Sequence, residues 1–137
     1  MFRYFFLFIL IIASGKASAG FRPAEKILLV RVDEIGIVTV NHDTVGSDVL
    51  ACYIQERLFK SYLGTGQMHK RIKFEKTTAD VPDLVAEVII NEIKDAQKRA
   101  LTEVSLEKHR KIFETLDKRK QDKLKKQFPV LFQTSYL

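Results

Sequence analysis

Tryptophan is absent from this 137-residue chain, proline occurs three times, and cysteine occurs once, as Cys52. A single cysteine excludes an internal disulfide and any cysteine-based metal cluster. No cysteine follows the opening apolar run, which excludes a lipid anchor on a new N-terminal cysteine. The three histidines, His42, His69 and His109, lie far apart and share no metal-ligand spacing, so they read as surface residues. The chain also lacks an apolar run of about 20 residues, the length that spans a bilayer core about 30 Å thick.

The apolar run that is present opens the chain, from Tyr4 to Ala13. At about 1.5 Å per residue it covers roughly half of a bilayer core. Arg3 precedes it, and Ala17-Ser18-Ala19 follows as a small-x-small cleavage pattern. Residues 1–19 therefore read as a cleavable signal peptide. The alternatives are a short anchor that stays in place and the visible part of a longer segment. Export without disulfides suits a bacterial envelope. The expected location is the periplasm, either soluble after cleavage or anchored in the inner membrane.

About 118 residues remain, enough for one domain. The formal net charge of +6 is unevenly spread. Residues 108–126 hold nine Lys/Arg against three acids, whereas residues 20–107 sum to −2. The division expected is an α+β domain over 20–116 and a basic tail over 117–137. The tail ends in an apolar patch around Phe128 to Phe132, placed to dock on the body.

Ile27-Leu28-Leu29-Val30-Arg31-Val32 and Ile35-Gly36-Ile37-Val38-Thr39-Val40 are β-rich runs around a polar break. They predict a hairpin, or one long strand with a bulge at Gly36. Asn41-His42-Asp43 reads as a polar turn. Ser47-Asp48 is the expected N-cap of a helix running to about Leu63. Leu50, Ala51, Ile54, Leu58 and Tyr62 form its buried stripe, and Gly64-Thr65-Gly66 ends it.

Ile72-Lys73-Phe74-Glu75 alternates as a strand. In Thr78-Ala79-Asp80-Val81-Pro82-Asp83, Asp80 or Val81 takes the cap position of a second helix. Pro82 suits its first turn, where a missing amide costs nothing. Asp83 and Glu87 sit near the positive end of the helix dipole. Leu84, Val85, Val88, Ile89, Ile93, Ala96 and Ala100 trace its apolar face. Thr102-Glu103-Val104-Ser105-Leu106 then switches to period two and reads as a closing strand. Ile112, Phe113 and Leu116 indicate a last short helix. The order ββ-α-β-α-β predicts an α+β two-layer sandwich. It is a small mixed sheet with two main helices on one face, plus a basic C-terminal helical tail.

Three stretches in this order, "DEIGIVTVN" (33–41), "SDVLACYIQERL" (47–58) and "IKFEKTTADVPDLVAEVIINEIKDA" (72–96) with "TEVSL" behind it, resemble the periplasmic domain of the ExbD/TolR biopolymer-transport family. They correspond to the family's glycine-containing strand ending in Asn, its first helix, its strand with an acidic Pro turn, its second helix and its closing strand. The resemblance covers roughly residues 27–106. It implies a homodimer beside an ExbB/TolQ-like membrane protein, with a TonB/TolA-like protein as a further partner, and peptide capture at a sheet edge. Two departures limit it. No acidic residue precedes Glu25, where the family carries an aspartate used in proton coupling. The family's usual Ala-Gly before the last strand is replaced by Lys98-Arg99-Ala100-Leu101.

The residues themselves offer no catalytic set. Cys52 has no marked base and reads as a buried inert thiol. Asp33-Glu34 and the Asp80/Asp83 pair read as turn and cap chemistry. Gly64-Thr65-Gly66 follows a helix, so it is not a phosphate cradle. No cofactor is expected. An open sheet edge accepts another chain as an added strand, and Thr102, Val104 and Leu106 are the expected edge. Lys118, Arg119, Lys120, Lys123, Lys125 and Lys126 form a basic surface, either a solvated face or a contact for anionic lipid. Nucleic acid is excluded as a partner by export and by the lack of interleaved aromatic residues. The expected function is a non-enzymatic interaction domain of an envelope transport complex. The alternative is a free periplasmic binding or accessory module with the same fold.

Overall fold

The structure, a computed structural model, describes residues 27–136. The apolar run and cleavage pattern of residues 1–19 lie outside the described residues. The described chain opens on β1 (Ile27–Val32). Its residues alternate, with Leu28, Val30 and Val32 fully buried and Ile27, Leu29 and Arg31 turned to the other face. That period of two is the geometry of a strand with one covered face.

β1 turns back into β2 (Val38–Val40) as a hairpin, with Val32 opposite Val38. The turn is built by Asp33, whose Oδ1 accepts from the Ile35 amide at 3.0 Å and the Ile37 amide at 2.8 Å. Gly36 supplies the positive φ of +91° that the turn requires. Asn41 and His42 then make a two-residue loop with φ of 47° and 81°, the backbone of a primed hairpin turn. Asn41 also returns its side-chain oxygen to the Leu29 amide at 2.8 Å. The loop leads into β3 (Asp43–Val45). Asn41-His42-Asp43 predicts only a turn here, because a three-residue strand leaves no periodic pattern to find.

α1 (Leu50–Thr65) follows. It begins later than the Ser47-Asp48 cap expected, with Val49 at the cap position and no side-chain cap bond. Gly66 ends it in the left-handed conformation, its N–H reaching Tyr62 O at 2.8 Å. β4 (Arg71–Lys76) then lies beside β1 in parallel, from Ile27↔Arg71 to Val32↔Lys76. The sheet order is β3-β2-β1-β4. A mixed sheet of four strands with helices against its apolar face is the α+β fold expected.

α2 runs from Asp83 to His109. Pro82 occupies its cap position rather than its first turn, and no side chain caps it, Asp80 included. Ala86, Ile89, Ile93, Ala96, Ala100 and Val104 make the buried stripe. Leu84 and Val88, expected on that stripe, are exposed instead.

The largest correction concerns residues 102–106, which continue α2 and form no strand. Ala96, Ala100 and Val104 recur at i+4 and keep one face buried. Thr102 bonds back to Lys98 O at 3.1 Å, as a helical threonine does. A five-residue alternation fits either period, and burial of Val104 settles it for the helix. Thr102, Val104 and Leu106 therefore form no sheet edge.

Beyond α2, a short 3-10 turn (Phe113–Thr115) leads to α3 (Lys118–Gln127), capped by Asp117 Oδ1 on the Lys120 amide at 2.9 Å. A second 3-10 turn (Pro129–Phe132) follows. Leu116, Leu124, Phe128, Val130, Leu131 and Tyr136 are buried in the same core as the sheet and α1. The apolar end of the basic tail thus docks on the body.

Candidate functional site

The two edges of the sheet are treated differently. On β4, the peptide groups of Ile72 and Phe74 face away from β1. Gln133 covers the first with its side-chain amide: Oε1 accepts from Ile72 N at 2.8 Å and Nε2 donates to Ile72 O at 2.6 Å. Tyr136 O accepts from Phe74 N at 2.8 Å. An edge left bare would be a template for pairing with another chain, and the C-terminal segment removes that liability.

Gln97 of α2 holds this segment in place. It is 4 % exposed. Its Nε2 donates to Val130 O at 2.7 Å and to Gln133 O at 3.1 Å, while its Oε1 accepts from Tyr136 OH at 2.6 Å. Burial pushes the Tyr136 hydroxyl above its ordinary value, and the Gln97 bond opposes that rise. Gln97 belongs to no local motif. Its signal is a polar residue in phase with Ile93, Ala100 and Val104 on the buried stripe.

The opposite edge, β3, pairs with no further strand among the described residues. Its flank is ordered from α1. Tyr53 OH donates to Asp43 Oδ2 at 2.8 Å, and Arg57 Nη2 reaches the same oxygen at 2.6 Å. The Tyr53 hydroxyl bond and then the Asp43 charge hold the Arg57 guanidinium above its ordinary value.

At the end of the sheet where β1 and β4 finish, two loops are tied together. Thr78 Oγ1 donates to Glu34 Oε2 at 3.0 Å, and Lys76 Nζ pairs with Asp83 at 2.8 Å. The Lys76 ammonium lowers the Asp83 carboxyl. Large apolar side chains stand out on these ordered elements, with Ile35 79 % and Leu84 73 % exposed. Asp33-Glu34 and Asp83 thus serve turn chemistry and ion pairing.

The sheet face away from the helices carries Arg31, Lys73 and Glu75. Glu75 pairs with Lys73 and with Arg31, both at 3.1 Å. These cations, Lys73 first, hold the Glu75 carboxyl below its ordinary 4.5. A lowered folded-state value means that the contribution is complete above the unfolded value and is lost as pH falls through the folded one. Stability is therefore expected to drop below about pH 4.5, and Glu75→Gln to flatten that part of the profile. Urea midpoints at a series of pH values check this, and identical profiles for the two proteins would refute it.

Cys52 is exposed, contrary to the buried thiol expected, because it points away from the Leu50, Ala51, Ile54 and Leu58 stripe. Arg99 Nη1 lies 3.4 Å from its sulfur. Nearby, Gln55 of α1 donates to Glu103 of α2. Lys118, Arg119, Lys120, Lys123, Lys125 and Lys126 are all exposed on α3. Among the described residues, no three His, Cys, Asp or Glu side chains are grouped to hold a metal ion. No described helix is long and apolar enough to cross a membrane. Compared with protein-family models, curated proteins and solved structures, the chain matches none.

Proposed function

We propose that the chain is a non-enzymatic envelope protein of ExbD/TolR type. Its folded domain acts as an interaction module in a biopolymer-transport complex linked to the proton-motive force. The observation that carries this reading is the order β1-β2-β3-α1-β4-α2 with β1 and β4 paired in parallel. It runs through the stretches on which the resemblance rests. The closing strand of the family has no counterpart among the described residues, since residues 102–106 are helical and residues 133–136 cover β4. Association by an added strand then falls to β3, the outer strand. A homodimer joined there would extend one sheet across two chains. The exposed Ile35 and Leu84 offer apolar contact to an ExbB/TolQ-like membrane protein or a TonB/TolA-like partner.

A free periplasmic module with the same fold is the second reading, favoured by the Ala17-Ser18-Ala19 pattern. One experiment separates the two. The full chain is expressed in a Gram-negative host, membrane and soluble fractions are parted, and intact mass and N-terminal sequence are read on each. A chain starting at Met1 in the membrane fraction, co-purifying with a polytopic protein, supports the transport-complex reading. A soluble chain starting at Gly20 removes it and leaves the free module.

A further inference from the structure

α3 carries six cations, Lys118, Arg119, Lys120, Lys123, Lys125 and Lys126, against the single Asp122. Leu124 is its only buried residue. Gln121 is half-buried and donates to Phe113 O at 3.0 Å. Among the described residues, no carboxylate comes within ion-pair distance of any of the six cations. A ten-residue helix spans about 15 Å, so neighbouring cations lie within about one Debye length of each other, about 8 Å at physiological salt, and a surface within that distance meets several at once. No apolar side chain of α3 is exposed, so its complement is a negatively charged surface and not an apolar groove.

The path of the chain says which surface. Ile27, where the described residues begin, pairs with Arg71. Arg71 in turn shares a shallow groove with Pro129, Gln133 and Tyr136. β1 therefore starts at the end of the sheet that meets the segment after α3. Residues 14–26 separate Ile27 from the apolar run, a tether of at most about 45 Å. A chain held in a bilayer by that run keeps α3 within reach of the headgroups.

We propose that α3 docks on a membrane surface rich in anionic lipid. Its cations meet lipid phosphates while Leu124 holds the helix on the body. The position of the docked helix rests on the anchored form of the proposed function. Its charge does not, so the two ideas fail separately: fractionation tests the anchor, and lipid composition tests the docking.

The purified full-length chain is reconstituted in vesicles of phosphatidylcholine alone, or with about 30 % phosphatidylglycerol. Amide hydrogen exchange is read across residues 118–127. Exchange in α3 is expected to slow at least about fivefold on the anionic vesicles at about 0.1 M salt, and to recover at about 0.5 M. K118Q/K123Q/K126Q is expected to exchange equally on both vesicles, with unchanged protection in β1 and β4 as the sign that it folds. Equal exchange of the unsubstituted chain on the two vesicles overturns the proposal. So does equal slowing by soluble polyglutamate on neutral vesicles, which would make an acidic polypeptide the occupant.

Discussion

Phe128→Ala is expected to lower the unfolding free energy by about 3–5 kcal/mol, as deletion of a fully buried aromatic ring does. Phe128 is 1 % exposed. Its ring stands edge-on to Tyr62 of α1, with centroids 5.2 Å apart, and Lys108 Nζ lies 5.7 Å from its centroid. It follows α3 directly, and its amide closes that helix on Leu124 O at 2.9 Å. Alanine would leave a cavity at the joint between α1, α3 and the Pro129–Phe132 turn. Domains of this size have a total stability of about 5–15 kcal/mol, so the variant approaches the limit of folding at ambient temperature. Urea unfolding followed by circular dichroism checks the result. A loss below about 1 kcal/mol would mean that the basic tail is not docked through this ring.

Gln97→Leu is expected to cost about 2–4 kcal/mol, since a buried group left without its partner loses about 1–3 kcal/mol. Three partners lose a bond together: Val130 O, Gln133 O and Tyr136 OH. Leucine is close in size, so the effect reports on polar satisfaction more than on volume. Tyr136→Phe removes one of these bonds and is expected to cost about 1 kcal/mol. The sites share partners, so the double variant is expected to lose less than the two single losses added together. Gln97→Leu should also loosen the cover of β4. The amides of Ile72 and Phe74 are then expected to exchange faster, while those of β1 keep their protection. A neutral or stabilising Gln97→Leu would refute the role of this residue as the holder of the C-terminal segment.

The parts of the fold legible in the sequence are those in which local pattern and burial agree. β1 alternates because one face of the sheet is open, and Leu28, Val30 and Val32 mark the covered side. α1 reads cleanly because Leu50, Ala51, Ile54 and Leu58 are both periodic and buried. Pattern failed where contacts distant in sequence decide. Thr102 to Leu106 alternates over five residues, yet Val104 extends a stripe begun at Ala86. Leu84 and Val88 fit the α2 stripe by spacing but are exposed, at the helix start beside the loop that Glu34 and Thr78 tie. The six cations of the basic surface were visible as composition. The closure of β4 was not, because it depends on Gln97, Gln133 and Tyr136, which share no local motif.

The way β4 is closed also sets an order of events in biosynthesis. Its outer peptide groups are met by Gln133 and Tyr136, which are translated after every strand and helix described above. Chains emerge from the ribosome N-terminus first, at about 5–20 residues per second. α1, β4 and most of α2 therefore exist before their edge has a cover. A nascent chain in that state offers an unpaired strand to holdase chaperones until residues 133–136 have emerged and closed the edge.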